Sequence, residues 1–320
     1  MVNIRRISTN DSQASQEEIK KGISLITAVK NRQESFEEAL KTWITHEEID
    51  EIIIVDWGSD LTLLPLVQKY QNGKIILAVV SDQPKWILSF AYNLAARLTS
   101  RTKILKIDAD VKILPRFFEK HILEPGKFYC GNWRIRRNDN EMHLNGIVYL
   151  HREDFFSVNG YNEFIKFYGW DDSDLYQRLA AAGLTRNDFD LDTLYHIPHG
   201  NRTIFQDKPD HLSDIPEEER ATLATFVNRR LAATYGKWSP SRKMIQFNIR
   251  QEDEYLLTCI QTGADENPVT SEMIRECEMV AIRERIPMLG GETPDDILVK
   301  LTHKELIEIY SRCFQRNLEA

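Results

Sequence analysis

The chain contains no apolar run near the roughly 20 residues that a bilayer-crossing helix needs. Its first 21 residues are polar and lack the apolar core of a secretion signal. Cysteine is scarce: Cys130, Cys259, Cys277 and Cys313 are scattered, with no C-x-x-C pair. That excludes a disulfide framework and points to reduced, structural thiols. These absences predict a soluble, cytoplasmic protein, with loose attachment to a membrane surface as the other option. An excess of positive charge is also missing. The net charge of −8 offers no footprint for a nucleic-acid backbone, so no nucleic-acid partner is expected. Internal repeats and low-complexity tracts are absent. What remains is a chain of 320 residues, 42% hydrophobic, enough for a catalytic domain with an appendage and a sizeable core.

From Gly22 onward, short β-rich runs alternate with amphipathic stretches. The pattern predicts strands over 23–29, 51–55, 75–80 and 103–107, and helices over 34–43, 61–70 and 89–98. Such alternation implies βαβ units and a mostly parallel sheet. In sheets of this kind, ligands gather at the carboxyl ends of the strands. Further on, 146–150 reads as a strand, 152–158 as a short helix, and 172–182 as a helix stopped by Gly183. A final strand is expected over 193–196 and an acidic, proline-containing linker over 207–219. Helices are then expected over 217–235, 272–285 and 302–317. The predicted organisation is an N-terminal extension over 1–21, an α/β domain over 22–204 and a mainly helical region over 205–320.

Four segments could carry chemistry. Lys106-Ile107-Asp108-Ala109-Asp110 runs an apolar strand into carboxylates at i and i+2. Both could approach one divalent cation on a diphosphate, or they could be a solvated turn. Tyr168-Gly169-Trp170-Asp171-Asp172-Ser173-Asp174 places three acids at a helix start. They could cap orphan N–H groups, or Asp171 or Asp172 could act as a general base while Trp170 offers a flat face to a sugar. His196 and His199 follow an apolar run and are either surface histidines or ligands to one cation, Pro198 disfavouring a helical arrangement. Imidazole beside carboxylate favours Mn2+, with Mg2+ as the second choice. Asp56, at the end of 51–55 and before Trp57-Gly58-Ser59, could accept a hydrogen bond from a base or simply form a turn.

In this order the segments resemble the GT-A glycosyltransferases of family 2. Thr27-Ala28-Val29-Lys30-Asn31-Arg32 resembles that family's opening strand and loop. Val55-Asp56-Trp57-Gly58-Ser59 resembles its Val-Asp-Asp-Gly-Ser signature with Trp57 in place of the second Asp, and Asp108-Ala109-Asp110 its Asp-x-Asp motif. From Asn145-Gly146 through Asn159-Gly160-Tyr161 to Gly169-Trp170-Asp171-Asp172, the chain is similar to the β-1,4-galactosyltransferases. The likeness spans about 22–202.

The resemblance implies a GT-A α/β fold and residue roles. Ala28, Lys30, Arg32, Asp56, Asp108 and Gly146 would contact the nucleotide sugar, Asp56 at the uracil and Asp108 at the ribose or sugar. Asp110 and His199 would bind the metal, with His196 where the galactosyltransferases carry a Met ligand. Asp172 would be the catalytic base, and Asp171 with Trp170 would hold the acceptor. One departure stands out. Ala91-Tyr92-Asn93 replaces the family's Ala-Arg-Asn, so a basic donor contact is lacking or comes from elsewhere, with Lys85 as the candidate.

The implied activity is inverting, metal-dependent transfer from a UDP-sugar to a hydroxyl, on a saccharide ahead of a peptide or small molecule. Two rivals are a nucleotidyltransferase and a non-catalytic carbohydrate-binding or scaffold protein. The first should show a glycine-rich loop after the first strand, and 27–31 contains no glycine. The second conflicts with intact acids at Asp108, Asp110 and Asp172. Leu298, Leu301, Leu306 and Ile309 could supply an apolar face on the C-terminal helices for acceptor binding or a homodimer.

Overall fold

The computed structural model describes residues 19–166, 168–199, 215, 217–234, 245–263 and 269–319. Most of the predicted N-terminal extension and of the 207–219 linker lies outside them.

The chain divides into two compact units. The first holds a nine-stranded mixed sheet. In chain order the elements of the protein are β1 (Lys20–Val29), α1 (Gln33–Trp43), β2 (Ile49–Trp57), α2 (Leu64–Tyr70), β3 (Ile75–Val80), α3 (Leu88–Arg97) and β4 (Arg101–Lys106). There follow β5 (Val111–Ile113), α4 (Phe117–Lys120), β6 (Lys127–Cys130), β7 (Val148–His151), α5 (Arg152–Ser157), α6 (Asp171–Ala181), β8 (Thr185–Asp188) and β9 (Leu194–His196). After α7 (Glu217–Thr234) come β10 (Gln246–Gln251), β11 (Leu256–Gly263), α8 (Ser271–Met288), α9 (Asp295–Leu298) and α10 (His303–Glu319). The sheet order is β10-β11-β3-β2-β1-β4-β7-β6-β8. Strands β1 to β4 are mutually parallel and form the predicted βαβ half, while β7 runs antiparallel to β4.

The parallel centre follows from its apolar runs, which are covered on both faces. Along β2, Ile53, Val55 and Trp57 enter one core cluster with Ala91, Leu94 and Phe128, and Ile52 and Ile54 enter another with Phe36 and Trp43. The period of two splits each strand between the two clusters. Helix α2 starts at Leu64 rather than near 61, because Pro65 suits a first helical turn.

Two features depart from the sequence reading. The strand expected over 193–196 forms, but β9 pairs with β5 in a separate two-stranded sheet. The C-terminal region also supplies two strands, with β11 pairing parallel to β3 and β10 closing the edge.

The second unit comprises 162–174, 201–239 and 266–320. Its helices pack around a buried network in which Arg285 donates to Glu219 at 2.6 and 3.1 Å and the Tyr310 hydroxyl donates to the same carboxylate. Leu298 and Leu306 are buried, and Leu301 and Ile309 are half-buried, so that apolar face is largely covered within the chain itself. Among the described residues, no helix is long and apolar enough to cross a membrane.

Candidate active site

Strand β4 ends at Lys106, and Asp108 to Val111 closes a turn through the Val111 N–H to Asp108 carbonyl bond of 3.1 Å. The chain then enters β5, which pairs with β9 so that Val111 faces His196. The Ile197 N–H donates to the Asp110 carbonyl at 2.7 Å. This short ladder, rather than sequence proximity, carries both histidines to Asp110. His199 Nε2 lies 2.8 Å and His196 Nε2 3.8 Å from Asp110 Oδ2. One donor atom from each of the three residues lies within 4.8 Å of the others.

The electrostatics of this cluster suit a cation. Burial raises the Asp110 pKa, but the His199 hydrogen bond and the charges of His196, His199 and Arg32 outweigh it, and the carboxyl is held below its ordinary range. Burial pushes His196 down to about 4, partly opposed by Asp110. Near neutral pH the donor set is thus a carboxylate and a neutral His196 ring. Two imidazoles with one carboxylate and no thiol fit Mn2+ better than Mg2+, which prefers all-oxygen shells.

Asp108 is held differently. Its Oδ1 accepts from Lys106 Nζ at 2.8 Å and lies 3.0 Å from the Tyr92 hydroxyl. Lys106 is fully buried, its ammonium also donates to the Gly146 carbonyl at 2.5 Å, and it sits 4.4 Å from the centre of the Tyr92 ring. A buried ammonium therefore joins the Asp-x-Asp turn to the Gly146 loop, against the Tyr92 that departs from the family pattern. Sequence reasoning passed over this lysine, although a charge near the end of an apolar strand was a signal. Tyr176 secures the same loop, its hydroxyl 2.8 Å from the Asn145 carbonyl and 3.0 Å from that of Ile147.

The other residues expected to contact the donor have places in the local structure. Asp56 is buried, and its two oxygens accept from the N–H groups of Ser59 and Leu63, each at 3.1 Å. Lys30 donates to the carbonyls of Trp57, Gly58 and Gln83, tying the ends of β1, β2 and β3 together. Ala28 is buried in β1 opposite Val55. Lys85 is exposed, and its carbonyl accepts from the Trp57 indole at 2.9 Å. Trp57 itself is fully buried and packs edge-on against Phe247, so in this chain that signature position belongs to the core.

Trp170, Asp171 and Asp172 belong to the second unit. Asp171, Asp172 and Asp174 occupy the first turn of α6, where the helix dipole favours carboxylates. Gly169 and Trp170 both have positive φ, 94° and 69°. For a tryptophan that backbone is strained, and such strain needs support. Helix α7 supplies it: Asn228 Nδ2 donates to the carbonyls of Tyr168 and Gly169 at 3.1 and 2.7 Å. The Arg229 guanidinium lies 5.5 Å from the Trp170 ring. Asp171 is buried and Asp172 half-buried.

Residues 128–200 match the family model described as the N-terminal domain of galactosyltransferase. No curated protein matches the chain. Among solved structures, the catalytic domain of Drosophila beta1,4galactosyltransferase 7 complexed with xylobiose is similar at 15% identity, covering 79% of this chain and 98% of that one, with a TM-score of 0.47. The mannosyltransferase PcManGT of Pyrobaculum calidifontis, complexed with GDP-Man and Mn2+, is similar at 13% identity, covering 93% and 87%, with a TM-score of 0.48. The matched segment holds Gly146, Asp171, Asp172, His196 and His199. Over residues 128–200, then, this chain is similar to the galactosyltransferases, in line with the resemblance read from its motifs.

Proposed function

We propose that this protein is an inverting, metal-dependent glycosyltransferase that moves a sugar from a UDP-sugar to a saccharide hydroxyl. The observation that carries the reading is the Asp110, His196 and His199 cluster, gathered at the end of the Asp-x-Asp turn. Those three residues would hold Mn2+, which when bound there would supply positive charge against a departing diphosphate. Asp108, oriented by Lys106, binds the sugar or ribose, and Arg32 adds positive charge beside Asp110. Asp56, Lys30, Ala28 and the Gly146 loop shape the nucleotide site, with Lys85 at its rim. Asp172 accepts the proton of the acceptor hydroxyl as that oxygen bonds to the anomeric carbon and the carbon–diphosphate bond breaks. Asp171 and Trp170 hold the acceptor. One displacement inverts the anomeric centre, and no covalent intermediate is required. The three sections of chain serve as a short N-terminal extension, a catalytic domain and a mainly helical region that also lends β10 and β11 to the catalytic sheet.

The test is sugar transfer and hydrolysis across a panel of UDP-sugars, with EDTA and with Mn2+ added back. The expected result is activity abolished by chelator and restored by Mn2+ better than by Ca2+. Full turnover in chelator overturns the metal-dependent reading. Formation of UTP and sugar 1-phosphate when pyrophosphate is supplied with the UDP-sugar would favour a nucleotidyltransferase, and binding without turnover a scaffold.

A further inference from the structure

We propose that Asn140 is a positioning residue for the metal site: it locks the neutral His196 ring in the tautomer whose Nε2 lone pair faces Asp110. The inference rests on the metal reading above and adds the group that selects and aims one of its ligands. Asn140 opens a 3-10 turn over Asn140–Gly146 and grips His196 at two points. Its Nδ2 donates to the His196 carbonyl at 2.9 Å, and its Oδ1 lies 2.7 Å from His196 Nδ1. The carbonyl can only accept, so the NH2 end of the amide must face it. The oxygen end then faces Nδ1, and an oxygen there requires a proton on that nitrogen. With Nδ1 protonated, the neutral ring carries its lone pair on Nε2, the atom 3.8 Å from Asp110 Oδ2. Flipping the amide would set oxygen against oxygen at the carbonyl.

The grip is braced. The His143 ring lies against the His196 ring, with centroids 4.5 Å apart. Beside Asn140, Glu141 accepts from Arg137 at 2.7 Å, and Arg137 also reaches Asp192, in the turn that precedes β9, at 2.7 Å. These ion pairs are exposed and add little stability, but they join the turn carrying Asn140 to the segment carrying His196. Partners of this kind set the orientation and basicity of histidine ligands, and removing one commonly weakens metal binding about 10–100-fold.

The experiment uses the full-length protein in two steps. Imidazole nitrogen NMR of the metal-free native protein at pH 8 should show His196 protonated on Nδ1; a proton on Nε2 overturns the proposal without any variant. Mn2+ titration calorimetry then compares native protein with Asn140→Leu, Asn140→Asp and Asp110→Ala, each checked by its metal-free melting temperature. Asn140→Leu should raise the Mn2+ Kd roughly 10–100-fold. Asn140→Asp, which still accepts the Nδ1 proton but sets an oxygen against the His196 carbonyl, should recover part of that loss and bind more tightly than Asn140→Leu. A purely structural role would lower the melting temperature and leave Kd unchanged, which overturns the proposal. Asp110→Ala separates the two readings. If it binds Mn2+ like the native protein, the metal site is elsewhere and both readings fall. If it fails to bind while Asn140→Leu binds normally, only the role of Asn140 falls.

Discussion

At the scale of single residues, each side chain given a role in the proposed function has a separable task. In that proposal Asp172 takes the proton. A sugar hydroxyl is a poor nucleophile near neutral pH, and a carboxylate accepting its proton contributes roughly 10²–10⁴ in rate. Asn is nearly isosteric but cannot take the proton, so Asp172→Asn should lower kcat by about that factor with donor binding little changed. Near-normal kcat in that variant would pass the role to Asp171. Lys106 is assigned orientation. Lys106→Met keeps the stem and removes the ammonium, leaving the Gly146 carbonyl without that donor and Asp108 without its cation. A buried acceptor left unmade costs about 1–3 kcal/mol. Denaturant unfolding should show a loss of that size, with donor KM rising more than kcat falls. His121 concerns stability alone. Its Nε2 accepts from the Asp190 N–H at 2.9 Å, and burial holds its pKa below the ordinary histidine value of 6.5. The unfolded chain therefore binds more protons there, so stability is full above about pH 6.5 and lost as pH falls below it. Burial gives His196 the same sign, down to about 4. Asp110, held below the usual carboxylate range, is ionised in both states over that window and adds no slope. Unfolding of metal-free protein followed from pH 8 to 5 should show falling stability; a flat profile would contradict the buried neutral rings.

At the scale of elements, α7 gains a task its sequence did not suggest, as the support for the Gly169-Trp170 turn. A Cβ on Gly169 would lie 2.2 Å from Thr225 Oγ1, at a φ that already disfavours any side chain. Gly169→Ala should therefore lower stability by about 1 kcal/mol or more and disturb the start of α6, raising acceptor KM. Adding Thr225→Ala removes the closest contact but leaves the Cβ of residue 225 at 3.1 Å and the strained φ, so recovery should be partial; complete recovery would show that backbone strain is absent. The same scale explains what was legible in the sequence. Strands β2 and β3 were legible because Ile52 to Val55 and Ile75 to Val80 are unbroken apolar runs. Strand β8, Thr185–Asp188, is polar and mostly exposed, so no period marks it. Strand β10 does alternate, with Phe247 buried between exposed neighbours, but its partner β11 joins β3 across nearly 180 residues. Asp110, His196 and His199 stood out because ligand-type side chains follow apolar runs. Lys106 and Asn140 did not, because their meaning lies in Gly146 and His196, 40 and 56 residues away.

At the scale of the whole molecule, the C-terminal region is not an appendage that can be removed to leave a working sheet. Strand β11 covers the edge of β3, and β10 covers β11. Ile245, Phe247, Leu257 and Cys259 are buried in the same core cluster as Trp57 and Val80. Burying a large apolar side chain contributes about 1.5–3 kcal/mol, so the first three alone amount to roughly 5–9 kcal/mol. That is comparable with the whole stability of an ordinary domain, about 5–15 kcal/mol. Removing the strands would also bare β3, whose sequence Ile-Ile-Leu-Ala-Val-Val carries no charge and no proline. An unpaired apolar edge of six such residues invites pairing between chains. A chain cut at Arg202 should therefore aggregate, or lose the cooperative unfolding transition, even though every predicted catalytic residue precedes the cut. A chain cut after Asp265 keeps both strands and should be distinctly more soluble than the shorter one. Calorimetry and light scattering on the two would decide. A soluble, cooperatively folded chain ending at Arg202 would mean that the edge of β3 tolerates exposure and that the strands serve something other than closure of the sheet.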